Sequence, residues 1–342
     1  MITSQTVLQS CCTARDIAAA YRRETMKHAL IVSLAVSGLM YAQGPGQGKG
    51  APEIVPHRTN PQGAGAPTAG SAGAIKPGIQ YRGGPVMNAP APYLIWYGNW
   101  NQSNGSDNPG GQQIVRDAIF GLSASNYYMT NASYSGVSGS LNVAGFLGNG
   151  ANGSHEINDP YSQGSNLSDS QVASIVSTAI AQGLGGPGGD SNGIYFVLTS
   201  SDVNESSGFC TQYCGWHTYG TLGSKSIKYA FVGNANRCLN SCAAQTTGPN
   251  GNAGVDGMIS VIAHEMEETN TDPELNAWFS AKGAEDADMC AWTFGSSQLR
   301  LPGGAYYNMT LAGISMPTRN YLIQRELDVN SKCYVDYVNK KQ

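Results

Sequence analysis

Two stretches of the chain are apolar on both faces, a pattern typical of strands in the interior of a sheet. They cover residues 93–97 and 193–199, and both are rich in aromatic and β-branched residues. The first ends at Gly98-Asn99, a turn signal. A shorter run of the same kind covers residues 228–232. The pattern therefore predicts three strands near the centre of one sheet.

Between these strands, apolar residues recur at helical spacing. Residues 112–122 place isoleucine, valine and leucine on one helical face. Residues 172–180 do the same, and Ser168 is a suitable N-cap for the helix that they predict. Strands that alternate with helices favour an α/β or α+β fold over an all-β one. We predict a single domain with a central mixed sheet and flanking helices.

The first 80 residues differ from the rest in composition. Residues 26–28 are a short basic start, and the twelve-residue apolar stretch 29–40 completes the pattern of an export signal that is cleaved after Ala42. A helix of that length reaches roughly 18 Å. Its twelve residues are fewer than the ~20 that a bilayer requires, so no membrane span is expected. The upstream residues 1–25 fit either a true translation start at Met26 or a degenerate twin-arginine signal at Arg22-Arg23. Residues 43–80 are rich in Gly, Pro and Ala, which predicts a flexible linker before a folded domain of residues 81–342.

The charge content of the chain makes one class of function, nucleic-acid binding, unexpected. Only 12% of the 342 residues are charged, and 23 Asp and Glu against 19 Lys and Arg give a net charge of −4. Nucleic-acid binding requires clustered cations, so no nucleic-acid partner is expected. The scarcity of charge is typical of an exported protein.

The cysteines point to the same compartment. Two of the eight, Cys11 and Cys12, precede the predicted cleavage site. The remaining six are an even number in an exported chain, which predicts three disulfides of open connectivity. A zinc cluster built from the two Cys-x3-Cys pairs is the alternative. The six are Cys210, Cys214, Cys238, Cys242, Cys290 and Cys333.

One predicted helix carries the candidate chemistry, and its sequence places its N-cap at Asp256 and its end at Asp272. His264 and Glu268 are four residues apart, so their side chains lie on one face about one turn from each other. This spacing is that of the His-Glu-x-x-His helix of zinc peptidases, with Glu at the second ligand position. Glu265 then occupies the place of a general base for a metal-activated water. The segment predicts a zincin-like active-site helix.

A catalytic zinc needs a third protein ligand, and the candidates follow the helix closely. Glu285 and Asp288 lie on the returning segment, which a disulfide at Cys290 would fix. Asp272 is a further candidate. Calcium is a less favoured ion because histidine is foreign to calcium sites. The expected metal is zinc.

Plainer interpretations cover the same residues. A His-Glu-x-x-Glu string is also typical of a solvated acidic helix face, although the apolar run before His264 favours burial. His217, which follows Cys214-Gly215-Trp216, is predicted to be a structural residue beside a disulfide. His155, in a loop rich in Gly and Asn, is expected to be solvated.

An ordered set of motifs resembles the EXORDIUM / phosphate-induced protein family. The motifs are residues 208–217 with Cys210 and Cys214, residues 228–234, the pair Cys238 and Cys242, and residues 254–258. The resemblance covers residues 81–342 and implies a secreted, cell-wall-associated protein whose partners are extracellular proteins or wall components. It implies no settled biochemical activity. The string that contains His264 and Glu265 resembles microbial secreted proteins more than the plant members.

Two functions follow from the sequence. The chain is either a secreted zinc-dependent metallopeptidase or related hydrolase, or a non-catalytic extracellular binding protein with a structural metal or none. An open coordination position in a cleft would indicate hydrolysis, whereas a closed shell of ligands would indicate a structural role. The oligomeric state is not predicted.

Overall fold

The computed structural model describes Leu39–Met40 and residues 78–101, 110–147, 155–315 and 317–342. Almost all of the predicted export signal and linker lies outside the described residues, so both remain predictions. Within the described part of the chain, no helix is long and apolar enough to cross a membrane.

The described residues form four α-helices, four 3-10 helices and sixteen short or medium strands. The α-helices are α1 (Gly111–Leu122), α2 (Asp169–Ala181), α3 (Leu239–Cys242) and α4 (Ala253–Thr271), and the 3-10 helices are Tyr128–Ser133, Ala144–Leu147, Ala235–Arg237 and Asp288–Cys290. The strands are β1 (Leu39–Met40), β2 (Gln80–Tyr81), β3 (Ala91–Tyr97), β4 (Glu156–Asp159), β5 (Asn166–Leu167), β6 (Gly193–Thr199), β7 (Asn204–Glu205), β8 (Gly215–Leu222), β9 (Lys225–Val232), β10 (Trp278–Phe279), β11 (Leu299–Arg300), β12 (Tyr306–Tyr307), β13 (Met309–Ala312), β14 (Thr318–Tyr321), β15 (Glu326–Leu327) and β16 (Cys333–Tyr334).

A six-stranded mixed sheet organises the domain, in the order β1-β8-β9-β6-β3-β4. Strands β4, β3, β6 and β9 are parallel, while β8 pairs antiparallel with β9 and β1 pairs antiparallel with β8. Every residue of β3 and β6 is buried. The predicted central strands and the mixed sheet are therefore confirmed.

The two predicted helices that flank the sheet are also present. Helix α1 begins one residue before the predicted segment. Helix α2 follows Ser168, whose backbone N–H donates to Gln171 Oε1 at 2.9 Å, as in a capping box. Helix α2 packs against β4, β6 and β9, whereas α1 packs against α4. The fold is α/β with helices against a central sheet, as predicted.

Helix α4 is longer at its start than the sequence indicated. Its N-cap is Asn252, whose side chain accepts a hydrogen bond from Val255 N–H at 3.2 Å. Asp256 lies in the first turn instead, where its carboxylate accepts hydrogen bonds from the backbone and the side chain of Asn250 at 3.0 and 2.6 Å. The predicted end is correct, because the last helical residue is Thr271.

The C-terminal hairpin β13–β14 is attached to α1 through a buried carboxylate. Asp117 accepts hydrogen bonds from Ser315 Oγ and Arg319 Nε, both at 2.6 Å. Burial alone would raise the pKa of Asp117, but the hydrogen bonds from Ser315, Arg319 and Gln113 outweigh it and lower the pKa below its ordinary value. The hairpin is therefore held to the helix by an ionised side chain.

All six cysteines of the folded domain form disulfides, as predicted. The pairs are Cys210–Cys238, Cys214–Cys242 and Cys290–Cys333, with Cα–Cα distances of 5.8, 5.4 and 5.8 Å. The alternative of a cysteine-zinc cluster is wrong because the sulfur atoms are bonded to one another. Two bridges tie the segment before β8 to α3, and the third ties the helix Asp288–Cys290 to β16.

Candidate metal centre

Helix α4 is buried on all sides, unlike an amphipathic surface helix. All residues from Gly254 to Thr271 are buried, and His264, Glu265 and Glu268 have no exposed surface. The interpretation of this string as a solvated acidic face is therefore wrong. Charged and ionisable groups that are this deeply buried need partners in the interior.

The first cluster consists of His264 and Glu268 on α4 and the carboxylate of Asp288 from a following turn. His264 Nε2 lies 3.0 Å from Glu268 Oε1 and 3.8 Å from Asp288 Oδ1. One ligand atom from each of the three residues lies within 4.8 Å of the other two. Asp288 begins the 3-10 helix Asp288–Cys290, and its backbone N–H donates to Glu268 Oε1 at 3.1 Å. We call His264, Glu268 and Asp288 the first triad.

A glutamine orients the imidazole of the first triad. Gln324 Nε2 lies 2.6 Å from His264 Nδ1, and Gln324 Oε1 accepts a hydrogen bond from Trp292 N–H at 3.0 Å. The backbone N–H of Gln324 donates to Ser260 Oγ at 3.1 Å, which fixes the residue to α4. With Nδ1 in contact with the amide, His264 presents Nε2 to the two carboxylates.

A second cluster forms around His217 on strand β8. His217 Nδ1 lies 3.5 Å from Glu268 Oε2, and His217 Nε2 lies 3.5 Å from Glu285 Oε1. Ligand atoms of these three residues also lie within 4.8 Å of one another. We call them the second triad. The two predicted third ligands thus separate, Asp288 into the first triad and Glu285 into the second.

His217 is the residue that the sequence interpretation missed. It is fully buried, and its neighbours are acidic side chains of the cluster as well as the nearby disulfide segment. Gly215 allows this approach: a Cβ at that position would lie 2.6 Å from Val261 Cγ1 and 3.0 Å from Glu265 Oε1. A glycine two residues before a histidine on a strand was the available signal for close packing against a helix.

Glu265, the predicted general base, lies beside the second triad. Its Oε2 is 3.3 Å from His217 Nδ1. Burial raises the pKa of Glu265 to about 7, although the hydrogen bond from His217 and the charge of His264 act in the opposite direction. Within the described residues, Glu265 Oε1 is buried and makes no hydrogen bond.

Asp272, the further candidate ligand, has a different role. Its Oδ1 accepts hydrogen bonds from the backbone N–H groups of Asn276 and Ala277, both at 2.6 Å. It belongs to neither triad. Asp272 therefore fixes the turn that follows α4.

Carboxylates outnumber imidazoles in this interior. Among the described residues around α4 and the two triads, seven acidic residues are at most 2% exposed: Glu265, Glu267, Glu268, Asp272, Glu285, Asp286 and Glu326. Burial raises the pKa of Asp286 to about 7 and raises the pKa values of Glu267 and Glu326 well above the ordinary range. The sequence interpretation missed these three, and Glu326 is too remote along the chain for any local pattern to reveal it.

Glu268 differs from the other buried acids. Burial would raise its pKa, but the charge of His264 and the close contacts of the carboxylate oxygens with the rings of His217 and His264 lower it instead. Burial would lower the pKa of His217, but the charges of Glu285 and Glu268 raise it well above its ordinary value. Glu268 is thus the ionised carboxylate that both imidazoles share.

Asp288 is the most exposed member of the two triads. Its side chain is 11% exposed, whereas those of His264, Glu268 and His217 are fully buried and that of Glu285 is 2% exposed. Nitrogen and oxygen donors in this proportion suit zinc, which accepts imidazole and carboxylate ligands. The residues present therefore fit the metal that the sequence predicts.

Comparison with known proteins gives the family of the chain. The model of the phosphate-induced protein 1 conserved region matches residues 79–333. Protein EXORDIUM-like 3 of Arabidopsis thaliana is 32% identical over 292 residues, 75% of this chain and 81% of that protein. Protein PHOSPHATE-INDUCED 1 of Nicotiana tabacum is 28% identical over 220 residues, 57% of this chain and 64% of that protein. No solved structure matches the chain. The matched region contains His217, Glu268 and both disulfides beside β8. Because the family model covers most of the chain, the chain belongs to the phosphate-induced protein 1 family, which includes the EXORDIUM-like proteins.

Proposed function

We propose that this protein is a secreted, zinc-dependent hydrolase of peptide or related acyl bonds, with its zinc site at the first triad. The observation that carries the proposal is the convergence of His264, Glu268 and Asp288, whose ligand atoms lie within 4.8 Å of one another. Two of these ligands are one turn apart on a helix that is buried on all sides. A buried mixture of nitrogen and oxygen donors is the chemistry of a zinc site.

Different side chains have different roles in the proposed hydrolysis. His264 Nε2 and carboxylate oxygens of Glu268 and Asp288 hold the ion, and zinc supplies Lewis acidity and lowers the pKa of water. Glu265, next to His264 in the helix, would act as the general base that takes a proton from the attacking water. His217 contacts Oε2 of Glu265 at 3.3 Å and so orients the carboxylate.

Access is from the side of Asp288, the partly exposed member of the triad. A substrate would approach from that side, where His264, Glu268 and Asp288 would hold the ion that polarises its carbonyl. The buried side is closed by α4 and β8. One-sided access of this kind excludes bulk water from the reacting atoms, which strengthens every electrostatic interaction in the site.

The disulfides support the proposed location outside the cell. Three bridges form within residues 210–333, and such bridges persist in oxidising compartments. This agrees with the export signal that residues 26–42 predict.

Metal analysis and peptide cleavage test the proposal together. We expect the purified protein to contain zinc and to cleave members of a quenched fluorescent peptide library. His264→Ala should lose zinc and activity, whereas Glu265→Gln should keep zinc and lose about 10²- to 10⁴-fold in rate, as expected for a general base. His155→Gln, a histidine outside both triads, is the matched control. Wild-type protein without zinc would contradict the proposal.

The deep burial of His264 and Glu268 favours a second candidate, a non-catalytic extracellular binding protein with a structural metal. A closed ligand shell is typical of structural zinc. In that case the wild type contains zinc and unfolds at a lower temperature when the zinc is removed, but it cleaves no peptide of the library. Cleavage that is lost in Glu265→Gln excludes this candidate.

A further inference from the structure

The two oxygens of Glu268 face two different histidines. Oε1 lies 3.0 Å from His264 Nε2, and Oε2 lies 3.5 Å from His217 Nδ1. The carboxylate is fully buried and lies between the two imidazoles. A carboxylate with one oxygen toward each of two nitrogen ligands has the arrangement of a bridging ligand.

Each side of this carboxylate has its own additional acid. Asp288 completes the triad with His264, and Glu285 completes the triad with His217. The ligands come from three separate parts of the fold: helix α4, strand β8 and the segment that leads into the helix Asp288–Cys290. Three acids and two imidazoles thus form two ligand sets that share one member.

The His217 side of the cluster contains buried polar atoms that the protein itself does not satisfy. Among the described residues, His217 Nε2 and Glu268 Oε2 make no hydrogen bond and are inaccessible to solvent. Buried polar atoms normally have partners, and exceptions require an explanation such as an ion. Three carboxylates, those of Glu265, Glu268 and Glu285, lie within 3.5 Å of the one imidazole ring. A cation among these groups would satisfy the oxygens and the ring nitrogen together.

We propose that the protein binds two divalent metal ions, and that the Glu268 carboxylate bridges them. The first ion lies at the first triad, so this inference rests on the proposed function. The second ion is held by His217, Glu285 and the other oxygen of Glu268. Both ligand sets combine one imidazole with two carboxylates, so zinc suits each of them, and manganese can replace it as a spectroscopic probe.

The second ion would assist the proposed hydrolysis and would add no further reaction. Two ions that share a carboxylate would supply positive charge to both the attacking water oxygen and the carbonyl oxygen of the scissile bond. It also changes the role of His217 from a partner of Glu265 to a metal ligand. The positive charge of the two ions would also neutralise the buried carboxylates of the two triads.

Zinc stoichiometry tests the bridge. Metal-free protein titrated with ZnCl₂ should bind about two equivalents, as a two-metal site requires. His217→Gln and Glu285→Gln should each bind about one equivalent fewer, and Glu268→Gln should lose at least one, because the bridge contributes to both ions. His155→Gln should bind as the wild type does. Circular dichroism of each variant shows that it is folded.

A second measurement uses only the wild type. Protein loaded with two equivalents of Mn²⁺ should give the exchange-coupled electron paramagnetic resonance spectrum of ions about 3.5 to 4 Å apart. A wild type that binds one zinc, or two manganese ions without coupling, overturns the bridge but leaves the proposed function intact. A wild type that binds no zinc overturns both.

Discussion

The amide nitrogen of Gln324 lies 2.6 Å from Nδ1 of His264, and this contact determines which ring nitrogen faces the acidic residues. Gln324 is fixed in turn by the backbone N–H of Trp292, which donates to its Oε1 at 3.0 Å. When a metal binds Nε2 of a histidine, the ring proton lies on Nδ1 and needs an acceptor, so the Gln324 side chain would have to present its amide oxygen to His264 in the metal-bound form. A residue 60 positions from His264 in the sequence therefore controls the first triad.

Loss of this contact should weaken zinc binding. We expect Gln324→Ala to lower zinc affinity about 10- to 100-fold, the usual effect of removing an outer partner of a metal ligand. Competition with a fluorescent chelator measures the change. The exposed Gln182 offers the control Gln182→Ala, for which affinity should be unchanged. Equal affinity of the two variants would show that Gln324 does not orient His264.

Close packing of β8 against α4 predicts a specific effect at Gly215. An added Cβ would lie 2.6 Å from Val261 Cγ1 and 2.9 Å from the backbone oxygen of Phe231, and the latter cannot move aside easily. Gly215→Ala should therefore lower the free energy of unfolding by about 1 to 3 kcal/mol and displace His217. Chemical denaturation and zinc stoichiometry measure the two effects. Gly303→Ala, where a Cβ meets nothing within 4 Å, should be neutral; the idea fails if both variants behave alike.

The disulfide Cys290–Cys333 should affect both stability and metal binding. Replacing both cysteines by serine should lower the free energy of unfolding by about 2 to 4 kcal/mol. It should also weaken zinc binding, because Cys290 lies in the same short helix as Asp288. The double variant at Cys210 and Cys238 is the control, since that bridge closes a loop of comparable length, 28 against 43 residues, away from Asp288. If the two double variants have the same zinc affinity, the bridge does not position the triad.

Asp117 predicts a pH dependence of stability outside the metal centre. Its pKa is lower in the folded protein than in the unfolded chain, so it stabilises the fold at pH values above about 4, the ordinary pKa of aspartate. This contribution is lost as the pH falls through the folded pKa. Asp117→Asn should cost about 3 kcal/mol at pH 7, because it leaves Arg319 without its buried partner. The difference between wild type and variant in urea denaturation should shrink below pH 4, and a constant difference would contradict the assignment.

Strands, helices and site residues that a local sequence pattern specifies could be predicted from the sequence. Residues 93–97 and 193–199 are apolar on both faces because β3 and β6 are covered on both sides. His264 and Glu268 were identifiable because helical spacing alone places them on one face, one turn apart. The six cysteines pair as their even number indicated, although their connectivity required the three-dimensional structure.

What escaped prediction depends on contacts between distant parts of the chain. His217 approaches Glu265 across 48 positions, and the nearby Gly215 indicates close packing but not which side chains His217 meets. The alternatives Glu285 and Asp288 could not be separated, because their side chains diverge only when the turn after α4 is formed. Asp256 looked like an N-cap because the true cap, Asn252, precedes it by one helical turn.

The two disulfide-linked arms also determine when the metal centre can assemble. The bridge Cys214–Cys242 holds the start of the strand that carries His217, and Cys290–Cys333 holds the segment that carries Asp288. In a reducing compartment neither bridge forms, so neither arm is held covalently. We therefore expect the proposed metal to bind after oxidative folding, so that the ion would be the one available where the disulfides form.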